Sequence, residues 1–109
     1  MADETMAADE PRALVRAFAL LGMERNLAAN DATKGDWRDY DWMLHYRALL
    51  TELGELLEAI QTLEDAGRWG NEESAERENV LAEAADCANY LMMICDVVGA
   101  LPPTDERGR

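Results

Sequence analysis

Two pairs of carboxylates stand at helical spacing in this chain. Glu52 and Glu55 are three residues apart, and so are Glu83 and Asp86. In an α-helix, residues at i and i+3 share a face, with Cβ atoms about 5–6 Å apart. Two such pairs on neighbouring antiparallel helices can converge on one or two hard cations. Oxygen donors with no His or Cys among them suit Mg²⁺ or Mn²⁺ rather than Zn²⁺. The first pair sits among Leu49, Leu53, Leu56 and Leu57, the second among Ala82, Ala84, Ala85 and Ala88. A carboxylate held unpaired at an apolar face is costly, and a bound cation offsets that cost. Small residues around the second pair let a partner backbone come close. Glu58 extends the first row by a turn and is a candidate fifth ligand. The competing reading is that all these acids are solvated helix positions. In a chain that is 30% charged one such pair means little, and the two rows alone leave both readings open.

The elements that must carry these residues are helical, and the expected fold is an all-α antiparallel helix bundle. Asp9 can cap a first helix with Pro11 in its first turn. Leu14, Val15, Phe18, Leu21 and Leu27 then recur at helical spacing, until the run from Asn30 to Gly35 breaks the pattern. A second helix is predicted from about Asp41 to Ala66, with Leu49, Leu50, Leu53, Leu56, Leu57, Ile60 and Leu63 as its apolar stripe. Gly54 lies inside it at a cost of about 1 kcal/mol against Ala. It is either simply tolerated or marks the close approach of another helix or a ligand. A loop at Gly67–Asn71 precedes a third helix from about Ser74 to Val98, faced by Val80, Leu81, Ala84, Leu91, Ile94 and Val98. Met92, Met93 and Cys95 read as packing. Gly99 and the pair Pro102-Pro103 stop the helix. The expected organisation is a tail over 1–8, one helical domain over 9–100 and a polar tail over 101–109.

A chain of 109 residues makes one domain with a modest core. Oligomerisation is expected to complete that core. The net charge of −13 repels phosphate backbones and anionic membranes, so neither nucleic acid nor membrane is an expected partner. A nucleotide can still bind where metal ions bridge its phosphates to carboxylates. Cys87 and Cys95 stand about 12 Å apart along one helix, too far for a disulfide within it. That favours a reducing compartment. The acidic, non-apolar N-terminus does not read as a signal peptide, and a cytoplasmic location is expected.

The two acid blocks carry a resemblance to a known family. The chain reads Thr51-Glu52-Leu53-Gly54-Glu55-Leu56-Leu57-Glu58-Ala59-Ile60, then Leu81-Ala82-Glu83-Ala84-Ala85-Asp86-Cys87-Ala88-Asn89-Tyr90-Leu91. Both blocks resemble the E-E-x-x-E and E-x-x-D motifs of the MazG-like, all-α nucleoside triphosphate pyrophosphohydrolases, over about residues 37–98. Thr51 departs from the pattern, since the family usually has its first Glu there. The resemblance implies that Glu52, Glu55, Glu83 and Asp86 are the metal ligands and catalytic carboxylates. It implies Mg²⁺, with Mn²⁺ as a substitute, gripping a triphosphate while the α–β bond is hydrolysed to a monophosphate and pyrophosphate. A metal ion or a nearby Glu activates the water, with Glu55 the choice for orienting it. The resemblance also implies four-helix cores assembled from two chains, hence a homodimer or homotetramer. It points to Asn89 as a nucleotide contact one turn beyond Asp86. A purine deoxynucleotide such as dGTP is the favoured substrate, with dUTP or dCTP as the alternative.

The remaining candidates are aromatic and basic. Trp37 and Trp42 precede the second helix and Trp69 follows it. Base stacking is expected of Trp37 or Trp42 ahead of Trp69, against the ordinary packing role of such rings. A phosphate clamp needs a cation beyond the metals. Lys34, Arg38, His45, Arg47 and Arg68 are nearest, and Arg38 and His45 are the expected substrate contacts. A ferritin-like di-iron bundle is excluded, because it needs Glu-x-x-His twice and His45 is the sole histidine. A non-enzymatic acidic helical interaction module remains the rival reading.

Overall fold

The structure, a computed structural model, describes residues 10–70 and 73–103, the side chains of 32–34 excepted. All regular structure among them is helical, as the apolar periodicity predicts. The proposed cap at Asp9, the 1–8 tail, Asn71 and most of the C-terminal tail lie outside the described residues.

The first rod runs in three stretches: α1 (Ala13–Phe18), a π-helical turn (Ala19–Glu24) and α2 (Arg25–Lys34). It does not break at Asn30 as expected, but continues to Gly35, whose φ is 70°. After a 3₁₀ turn at Trp37–Asp39 come α3 (Trp42–Arg68) and α4 (Ser74–Val97). Asp41 caps α3 by accepting from the Met43 amide. At the end of α4 the Gly99 amide donates to the Asp96 carbonyl at 3.1 Å and the Ala100 amide to that of Cys95 at 2.7 Å. This is a Schellman closure. It needs a left-handed residue after the helix, and Gly99 supplies it with φ 76°. No helix of the described residues is long and apolar enough to cross a membrane.

α3 and α4 form an antiparallel hairpin, the largest contact in the molecule. The face of α3 turned inward comprises His45, Leu49, Glu52, Leu56, Ala59, Leu63 and Ala66, all buried or half-buried. They alternate four and three residues apart, the spacing of a helix–helix seam. α4 answers with Ala85 and Cys87, both buried, so the two backbones lie close. The first rod packs on another side of α4. A Cβ added to Gly22 would stand 3.2 Å from the Ala85 Cβ and 3.2 Å from Leu81 Cδ1.

The apolar stripe expected on the second helix is in fact two stripes. Leu49 is buried, whereas Met43, Tyr46, Leu50, Leu53, Leu57 and Ile60 are exposed, again alternating three and four apart. The smallest principal extent is 22 Å, about two helix diameters, so each helix keeps a face that meets no other. Leu14, Val15, Leu21, Leu91 and Val98, expected in the core, are exposed for the same reason.

Gly54 makes no close approach, since a Cβ there would meet nothing within 4 Å. Gly54→Ala is therefore expected to raise stability by about 0.5–1 kcal/mol in urea melts. The same change at Gly22 should fall short of that gain, because Ala85 and Leu81 must give way.

Candidate functional site

The antiparallel hairpin brings the two acid pairs together, as the spacing predicts. One carboxylate oxygen each of Glu52, Glu55 and Glu83 lies within 4.8 Å of the other two. Asp86 stands close enough to Glu52 for its charge to bear on that carboxyl. The reason is local. Leu49 and Leu56 flank Glu52 on one face of α3 and dock on α4, so Glu52 must point at α4 with them. Small residues at Ala82 and Ala85 leave the room that four carboxylates need. Glu58 is exposed and lies outside this cluster, so its expected place as a fifth ligand is not borne out by the geometry.

The cluster is strongly uncompensated. Among the described residues, no ion pair reaches any of the four acids. Glu52 Oε1 and Glu83 Oε1 are buried with no hydrogen-bond partner. Burial, then the charges of Glu55, Asp86 and Glu83, push the Glu52 carboxyl up to about 7. Burial, then Glu55 and Asp86, push Glu83 up as well. The field extends outward, raising the Cys87 thiol and the Tyr90 phenol through burial first and Glu52 second. Buried, partnerless oxygens in an all-carboxylate donor set fit a hard divalent cation.

Glu52 and Asp86 also line a cavity of about 700 Å³, within the range of small-molecule sites. α2, the 3₁₀ turn, α3 and α4 all contribute to its wall. Asn89 lines it and is only 4% exposed. Its Nδ2 donates to the Met23 carbonyl at 3.1 Å, within the π turn of the rod. Its Oδ1 is buried with no partner, an acceptor that lacks a donor beside the acid cluster.

The aromatic and basic expectations divide. Trp37 lines the cavity, and its Nε1 donates to Asp96 Oδ2 at 3.0 Å. His45 lines it too, but is buried, with Nε2 2.9 Å from the Trp37 carbonyl. A carbonyl only accepts, so Nε2 carries the hydrogen. His45 thereby holds the 3₁₀ turn, packed between Tyr40 and Tyr90, each with its ring centroid 6.2 Å away. Trp42 is not in the cavity wall: it is exposed and meets Tyr46 edge-on. The rotation of α3 that aims His45 and Glu52 inward turns it away. Arg38 is also elsewhere, held by Asp36 at 3.1 Å and Asp96 at 3.8 Å, with its guanidinium over the Trp37 ring. Trp69 is 75% exposed at the far end of α3.

Sequence reasoning missed Asn26, Asn30, Tyr40 and Tyr90, all in the cavity wall. Asn26 Nδ2 donates to Asp86 Oδ1 at 2.8 Å and to the Ala82 carbonyl at 2.9 Å. The available signal was two asparagines four apart inside a helix, where Asn competes with the backbone and is disfavoured without a partner. No family model, curated protein or solved structure matches this chain.

Glu52 titrates higher in the fold, at about 7, than its ordinary 4.5. Its contribution to stability is thus present below pH 4.5 and lost as pH rises through 7. The metal-free protein should melt at lower temperature at pH 8 than at pH 5. Glu52→Gln should melt above the wild type at pH 8, and the difference should vanish at pH 5. A wild-type-like Glu52→Gln melt at pH 8 would remove the case for repulsion at this site.

Proposed function

We propose that this chain is a Mg²⁺-dependent pyrophosphohydrolase of the MazG-like kind, converting a nucleoside triphosphate and water to the monophosphate and pyrophosphate. One observation carries the reading: the facing acids of α3 and α4 gather in one cluster, and two of them, Glu52 and Asp86, line a cavity of about 700 Å³. Glu52, Glu55, Glu83 and Asp86 would hold the metal, which when bound neutralises triphosphate charge and acidifies water. Glu55, the exposed member, would orient the attacking water from the solvent side. Asn89 Oδ1 offers an acceptor to a hydroxyl or N–H of the nucleoside. Trp37, pinned by Asp96 and the His45 bond, is the aromatic surface for the base in place of Trp42. Arg47, which lines the cavity and whose guanidinium meets Met43 Sδ at 4.0 Å, replaces Arg38 as the cation for the phosphate tail. A purine deoxynucleotide such as dGTP remains the favoured substrate, and dUTP or dCTP the alternative.

The reading includes a homodimer, or a dimer of dimers, as the working state. The exposed seam from Met43 to Ile60 on α3 has coiled-coil spacing, and a second copy of it would bury apolar area that this thin molecule leaves in water. Sedimentation should give twice or four times the 12.2 kDa of one chain, and an active monomer would contradict the assembly.

A panel of nucleoside triphosphates with Mg²⁺, assayed for pyrophosphate against phosphate, tests the activity. Glu55→Gln and Asp86→Asn should each abolish turnover while the helical circular dichroism persists. Near-normal turnover by either at saturating Mg²⁺ would show that the ligand assignment is wrong.

A further inference from the structure

We propose that Asn26, on the first rod, is a positioning residue that fixes Asp86 in the orientation that grips metal. The inference rests on the metal reading of the acid cluster given above. One feature besides the acids points to a ligand at this place: Asn89, 4% exposed, keeps a partnerless Oδ1 in the same cavity wall as Glu52 and Asp86.

The geometry of Asn26 is specific. Its amide nitrogen carries two hydrogens, and it stands 2.8 Å from Asp86 Oδ1 and 2.9 Å from the Ala82 carbonyl. Both targets only accept. Flipping the amide would set its own oxygen against a carbonyl and a carboxylate, so the bonds allow one orientation. A carboxylate has lone pairs on two oxygens. With Oδ1 taken by Asn26, the Asp86 carboxylate cannot swing about Cβ, and Oδ2 remains for the cluster. Ligating carboxylates are ordinarily held by such outer partners, whose loss costs about 10–100-fold in metal affinity or activity. Asn26 also reports the rod's position. One turn earlier a Cβ added to Gly22 would stand 3.2 Å from the Ala85 Cβ, a close crossing that fits a side chain as short as Asn reaching across to α4.

The test is Mn²⁺ binding, followed by calorimetry and by electron paramagnetic resonance, without nucleotide. Asn26→Ala removes the donor, and Asn26→Leu removes it while keeping the volume. Each should bind Mn²⁺ about 10–100-fold more weakly than the wild type. Ala66→Gly, a destabilising change at the far end of α3, should leave Mn²⁺ affinity as in the wild type. That contrast separates positioning from general loosening. If both Asn26 variants bind as the wild type does, or if Ala66→Gly weakens binding equally, the role assigned to Asn26 is overturned while the metal site stands. If the wild type itself binds no Mn²⁺, the metal site falls and this role with it. If Asn26→Leu does not fold, the alanine variant decides, since Ala is the best helix former.

Discussion

Four carboxylates gathered where two helices cross is the constraint on which the rest of this molecule depends. Like charges in a half-buried place raise one another's pKa and oppose closure, yet the apolar face of α3 can be buried only by docking on α4. Glu52 shows the conflict in one residue. It occupies a seam position between Leu49 and Leu56, where a leucine would otherwise stand, and burial with the neighbouring carboxylates pushes its carboxyl up to about 7. A helix hairpin optimised for packing alone would not put an acid at that position. The cost is intelligible if a cation is the missing partner, which is the basis of the proposed activity.

The first rod answers a second requirement, that the cluster be held as well as assembled. It does so with two amides pointing in opposite directions: Asn26 reaches from the rod to α4, and Asn89 reaches from α4 to the rod. Both are neutral, so they tie the elements together without adding charge to a place already over-supplied. The π turn is where the second bond lands. Such turns loosen the regular ladder and are found at functional sites. Here one presents the Met23 carbonyl to Asn89, and that bond leaves Asn89 Oδ1 facing no protein donor.

The helices and the convergence of the acid pairs were legible in the sequence, because both rest on periods of three and four that survive without knowing the partner. Asp41 as a cap and Gly99 as a stop were legible for the same local reason. The apolar faces were not. Leu49 and Leu50 are equally hydrophobic, and only the rotation of α3 against α4 decides that one is buried and its neighbour exposed. The place of Trp42 was not legible either: proximity in sequence to Trp37 does not survive a helix start between them that points it outward. Asn26 is some sixty residues from Asp86 along the chain, and no pattern of spacing connects them.

The two faces of α3 bind these threads together. Successive residues in a helix are about 100° apart, so the acid-bearing seam through Glu52 and the exposed seam through Leu53 run side by side along one rod. Repulsion among the acids pushes α3 away from α4, and within one chain the narrow seam from His45 to Ala66 opposes it. A second copy seated on the exposed seam would press on the adjoining face of the same helix and bury Leu50, Leu53 and Leu57. Association and cation binding would then act on one element from two directions, each favouring the closed hairpin that the other requires. By linkage, each should strengthen the other. A helix carrying only one of the two seams would have no such coupling.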